Sequence, residues 1–193
     1  MRKYIGILFV FGTLLSCQPK ERFFPEQIET VDVSILRFDK ALMQVKANSI
    51  REDVRGLHQQ FPAFMPIFME DILGISRMDT DYLCTALPAF LADTLYGFAK
   101  TNEYEQTLFQ EVSDIEKSLS EAFSRLHYLY PEWHIPMLYL FVSGFQASLC
   151  WVGEDLAIGA DMYLGSDYPY YNRVVHHYQK QTMRKECIPA DVV

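Results

Sequence analysis

Hydrophobic and polar positions along this 193-residue chain fall into a series of short segments with distinct periods. Val31, Val33 and Ile35 alternate with Asp32 and Ser34, the period of two that predicts a short strand. Arg37-Phe38-Asp39-Lys40 then leads into a brief helical stretch with Phe38, Leu42 and Val45 on one side. Ile50, Val54 and Leu57 recur at helical spacing while Arg51, Glu52, Asp53 and Arg55 face away, so Ser49 to Gln60 reads as an amphipathic helix. Two prolines in Phe61-Pro62-Ala63-Phe64-Met65-Pro66 break it, since each removes a donor and restricts the residue before it. Pro66 suits the first turn of a short helix, Ile67 to Leu73, closed by Gly74. Its many Phe, Met and Ile residues predict a buried corner rather than a pocket lining.

From Asp79 to Ala99 an apolar stripe from Tyr82 to Phe98 predicts a helix that Pro88 should kink or divide. Ser113-Asp114-Ile115-Glu116 has the form of a capping box. Behind it Ile115, Leu119, Phe123, Leu126 and Tyr130 share one helical face up to Pro131. The pattern then changes. Tyr139, Phe141 and Val142 fit a buried strand, Ser143-Gly144 a bulge or bend, and Ala147 to Val152 a second strand. Gly153-Glu154-Asp155 is a hairpin turn, after which Leu156 to Ala160 pairs back. The expectation is an α+β domain, mostly helical, with a small antiparallel sheet at about Met137–Ala160.

The first residues are of another kind. Arg2 and Lys3 precede an uncharged, largely apolar run, Tyr4 to Leu15, which is too short to span a bilayer as a helix. Leu14-Leu15-Ser16-Cys17 resembles a bacterial lipobox, in which cleavage follows Ser16 and the sulfur of Cys17 takes the lipid. The expected organisation is a lipoprotein signal peptide at 1–16, a polar tether at 17–30 and a single domain at 31–193. Several acyl chains on one cysteine give stable anchoring to a membrane. Losing Arg2 and Lys3 with the signal takes the formal charge from -8 to -10. An acidic chain without a basic cluster points away from nucleic acid, whose binding needs Lys and Arg. Cys84, Cys150 and Cys187 match no metal-binding spacing and are an odd number, so at least one does not pair within the chain. Cys84 and Cys150 read as small buried thiols.

Motifs that carry chemistry are few. No two of His58, His127, His134, His176 and His177 stand four apart, so the HExxH zinc arrangement is absent from these residues. There is no phosphate-binding glycine loop, no Gly-x-Ser-x-Gly elbow, and Cys150 lies in an apolar strand unsuited to a thiolate nucleophile. One candidate remains, the loop from Gly159 to Tyr171, with Asp161 and Asp167 six residues apart and Tyr163 and Tyr168 beside them. These residues could hold a cation or an extended peptide. The preferred reading is a structured turn whose aspartates cap backbone groups and whose tyrosines pack.

The lipobox and the segments FDKAL, FPAFMPIFMEDILGI, YPEWHIP, FVSGFQASL and IGADMYLGSDYPYY together resemble the GldB-type gliding-motility lipoproteins of the Bacteroidota. That resemblance implies an outer-membrane lipoprotein associated with gliding and protein-secretion machinery, with no cofactor and no assigned catalysis. It implies envelope protein partners besides the membrane held through Cys17. No acidic run follows Cys17, which favours a periplasm-facing position. The family is in turn distantly similar to predicted zinc peptidases. Under that alternative the sheet would belong to an incomplete zincin-like domain, zinc would be the cofactor, and the ligand-bearing helix would begin near Pro189 and run beyond Val193. Family members are longer, so the chain would be truncated at its C-terminus, and its sheet would keep one face or edge uncovered.

Overall fold

The computed structural model describes residues 24–25, 27–76, 79–92 and 107–193. The signal, Cys17 and the expected helix beyond Ala92 lie outside them. The fold is α+β, built around one four-stranded sheet of order β1-β2-β4-β3. Its strands are β1 (Ile35–Arg37), β2 (Leu138–Phe141), β3 (Leu149–Val152) and β4 (Asp155–Gly159). The sheet is mixed, which corrects the antiparallel expectation. β1 and β4 both run parallel to β2, and only the β3–β4 hairpin is antiparallel. The physical reason is that β3 skips a position, so its hairpin partner β4 returns into the centre alongside β2.

Leu138–Phe141 is buried along its whole length, as expected of a central strand covered on both faces. Leu138 and Leu140 of β2 join Leu156 and Ile158 of β4 in one core, while Tyr139, Phe141 and Ala157 point into another. Each fully buried Leu or Phe here contributes about 1.5–3 kcal/mol. The second core is filled by α1 (Phe38–Leu42), α2 (Ile50–Gln60), α3 (Phe64–Ile67) with its π-helical continuation Phe68–Ile72, and α4 (Thr80–Ala92). The first is filled by α5 (Ser113–Leu129) and by the segments after β4, which include α6 (Tyr171–Val174) and α7 (Ile188–Val192). Both faces of the sheet are therefore covered.

The Phe61–Ile72 segment is the buried corner its composition predicted: Phe61, Phe64, Met65, Phe68, Met69 and Ile72 are all core. Phe38 sits within 4.8 Å of both Phe64 and Phe68, ring centre to ring centre. Helix α4 passes through Pro88 as one element, so the proline does not divide it.

Two local expectations fail for tertiary reasons. Residues 31–34 alternate in burial as predicted, but the strand begins only at Ile35. Val31 is held instead by α5 side chains: its N–H donates to Ser124 Oγ at 2.9 Å, and its carbonyl accepts from the Ser120 hydroxyl. The capping box at Ser113 does not form, and Val112 holds the N-cap position. Glu116 reaches out of the helix to accept the Ile35 N–H at 2.8 Å, while Asp114 pairs with Lys185 at 3.0 Å. Both first-turn carboxylates thus have tertiary partners, while Asp114 also takes backbone N–H groups at the helix start. Nearby, the buried Asp39 is gripped by Arg37, which also donates to the Phe109 carbonyl at 2.7 Å. Among the described residues no helix is long and apolar enough to cross a membrane.

Candidate functional site

The candidate loop begins where β4 ends, and its first device is a close approach. A Cβ on Gly159 would stand 2.0 Å from the Ala147 carbonyl oxygen, so only glycine lets β4 meet the start of β3 here. Ala160–Met162 then forms a single 3-10 turn that aims Asp161 into the protein.

Asp161 is 0% exposed. One carboxylate oxygen accepts the Ser143 N–H at 2.9 Å, and the other accepts the Phe145 N–H at 2.5 Å. The Ser143 hydroxyl lies within 3.1 Å of both oxygens and itself accepts the N–H groups of Gln146 and Ala147. Asp161 thus nucleates the whole 142–148 loop, including Gly144 and Phe145, which both take positive φ. Burial pushes its carboxyl above the ordinary value, against the pull of the Ser143 and Phe145 donors. The bulge expected at Ser143-Gly144 is this aspartate-held loop.

The tyrosines are structural. Tyr171 donates to the Asp161 carbonyl and accepts the Leu164 N–H, both at 2.8 Å. Tyr163 donates to Asp191 of α7 at 2.9 Å. Burial is the leading cause that raises both phenols well above the usual tyrosine value. Tyr168 is buried against Tyr171, with ring centres 5.2 Å apart, and stacks on Phe145 at 6.0 Å. Of the four loop candidates, Asp161, Tyr163 and Tyr168 build the fold, and Asp167 alone is exposed.

Asp167 stands on the rim of a surface cleft of about 490 Å³. The 164–169 loop forms one wall, residues 184–186 the other, and Leu108 also lines it. The walls are tied by the pairing of Leu164 with Arg184 and by the Gly165 N–H on the Met183 carbonyl at 2.9 Å. Gly165 turns the chain there with φ 108°, a conformation that favours glycine. Lys185 is committed to Asp114 and to the Glu111 carbonyl. The cleft therefore offers Asp167 and Glu186 as acids, Arg184 as a base, and backbone edges between them. Arg184 and Lys185 were not foreseen: no spacing in the sequence links them to a loop nearly twenty residues earlier.

The histidines are dispersed. His58 is on α2, His127 on α5, and His134 is 3.6 Å from Asp155. His176 and His177 are exposed and lie just after α6. Among the described residues no three His, Cys, Asp or Glu side chains are grouped to hold a metal ion. Cys84 is buried, Cys150 and Cys187 partly so, and all three are free thiols. Burial and the charge of Asp71 push Cys150 up to about 11.

These features define a class: a mixed-sheet α+β domain with a surface cleft beside an aspartate-locked loop at the C-terminal ends of its central strands. Comparison with protein families gives the particular lineage. The chain belongs to the family described as gliding motility protein GldB, whose model matches residues 21–193. Comparisons with curated proteins and with solved structures returned no match.

Proposed function

We propose that this protein is a lipid-anchored, non-enzymatic accessory of the gliding-motility and protein-secretion machinery of the cell envelope. In this reading Cys17 carries the lipid, the tether holds the domain on the periplasmic side of the outer membrane, and the 164–169/184–186 cleft binds an extended segment of a partner protein. The single observation that carries it is membership of the GldB family over residues 21–193, which suggests the envelope setting. The lipobox supplies the anchor. Supporting the binding role, the cleft has the volume of an ordinary ligand site. Its side chains of both charges and its backbone edges suit a polypeptide, and Tyr171 ties the 164–169 wall to the buried Asp161 turn through the Leu164 N–H and the Asp161 carbonyl.

Two measurements test this in cells. Cys17→Ala should abolish incorporation of labelled palmitate and release the protein from membranes; an unchanged membrane pool refutes the anchor. A photo-crosslinking residue at Asp167 should capture a discrete envelope protein that the same residue at Arg51 does not. Loss of that adduct in an Arg184→Glu background should accompany loss of gliding or secretion in a complemented deletion strain. Identical adducts from both positions, or full function with Arg184→Glu, refute the cleft.

A further inference from the structure

Parallel pairing gives the sheet two unlike ends. The cleft and the Asp161 loop follow the C-terminal ends of β2 and β4. The N-terminal ends carry a run of exposed apolar side chains from three elements. Tyr128 and Leu129 close α5, and Tyr130 and Trp133 follow in one turn, with the Trp133 N–H on the Tyr130 carbonyl at 3.0 Å. Met137 leads into β2 beside the start of β4, where its N–H donates to Asp155. Trp151 of β3 pairs in register with Leu156, one residue into β4. Tyr128 is 51% exposed, Tyr130 62%, Trp133 42% and Trp151 67%. Soluble surfaces rarely gather such groups without a partner.

The chain identifies that partner. Phe24 rests against Tyr128 at 6.2 Å between ring centres, with the Arg125 guanidinium 5.9 Å over its face. Phe24 is seven residues after Cys17, a reach of at most about 25 Å even when fully extended. A lipid on Cys17 therefore keeps this end of the sheet within that reach of the bilayer. Tryptophan and tyrosine rings have an apolar body and a polar tip, the combination suited to the headgroup layer. Arg125, Glu29, His127, Glu132 and His134 around them are of mixed sign and form no basic cluster, so the surface has no need of anionic lipid.

We propose that the aromatic end formed by Tyr128, Leu129, Tyr130, Trp133, Met137 and Trp151 seats on the membrane's lipid surface, and so turns the cleft away from the bilayer. This rests on the anchoring proposed at Cys17.

The test uses the full lipidated protein reconstituted in vesicles of zwitterionic phosphatidylcholine brominated near the headgroup end of its acyl chains. Trp133 and Trp151 are the two tryptophans of the chain. The Trp151→Phe variant therefore reports from Trp133 alone, at little structural risk because Trp151 is exposed. Adding Asp167→Trp to a Trp133→Phe, Trp151→Phe chain moves the reporter to the cleft rim. The expected result is loss of Trp133 emission in brominated relative to ordinary vesicles, with the reporter at 167 unaffected. Protein that floats with the vesicles while Trp133 stays bright, or while both reporters are quenched alike, overturns the seating and leaves the anchor standing. Protein that neither floats nor shows quenching overturns both.

Discussion

Replacing Asp161 by alanine tests the central claim about the loop. The change leaves the Ser143 and Phe145 N–H groups and the Ser143 hydroxyl without their acceptor in a site that water does not reach. Each orphaned buried donor costs about 1–3 kcal/mol. Phe145 would also lose the bond that holds it at φ 63°, a conformation costing about 1–2 kcal/mol. Removing the carboxylate relieves its own desolvation, so the expected net loss is about 2–4 kcal/mol, a large part of a stability that typically lies near 5–15 kcal/mol. Asp161→Asn keeps one carbonyl oxygen but sets an NH2 group against the other N–H, and should fall between the two. Urea unfolding followed by circular dichroism measures both. An alanine variant within about 0.5 kcal/mol of the parent would refute the assignment of Asp161 as the loop's anchor. The sign of the pH dependence follows from the raised carboxyl. The folded state binds the proton more tightly than the unfolded chain, so this group's contribution is complete below the ordinary value of 3.8. It is lost as pH rises through the raised native value. The gap between parent and Asp161→Asn should therefore shrink over that window and then stay level.

Other outcomes follow from the same geometry. Gly159→Ala drives a methyl into the Ala147 carbonyl and should cost at least about 1–3 kcal/mol in the same unfolding assay; a neutral effect would mean β3 and β4 are not so closely apposed. Tyr171→Phe strips the Leu164 N–H and the Asp161 carbonyl of one shared hydroxyl and should cost about 1–3 kcal/mol, measured as a lowered thermal midpoint. Cys150, raised from 9.0 to about 11, should hold about a hundredfold less thiolate at neutral pH than an ordinary thiol. Iodoacetamide should alkylate it correspondingly more slowly in the native protein than in urea, and equal rates would contradict that environment.

How much of this was legible in the chain depends on the range of the interaction. Helix α2 was readable because Ile50, Val54 and Leu57 carry their own period, and α5 because Ile115, Leu119 and Phe123 do. The buried corner at Phe61–Ile72 announced itself through composition and its prolines. Strand order was not readable: nothing local tells Leu156–Ile158 to lie beside β2 instead of extending a simple meander. The capping box misled because Glu116 had a better use, an unpaired N–H on an edge strand some eighty residues away. At the candidate site, the reading of Asp161 as either ligand or loop-builder was decided by Ser143, 18 positions earlier. Its role is visible only once β2 and β4 lie side by side. Asp167 is legible as a carboxylate in a glycine-containing stretch, but the Arg184 wall beside it comes from a segment with no motif.

The side-chain stitching of residues 31–35 to α5 has a mechanical meaning if the tether is ever under tension. A pull arriving from the membrane meets, in order, the two serines that hold Val31, the Glu116 carboxylate on Ile35, and then the parallel ladder of β1 on β2. Force along the strand loads these bonds side by side in shear, not one at a time as in a zipper. A domain anchored in that way would be fastened through a helix and a sheet together, with the load passing into the core behind the cleft.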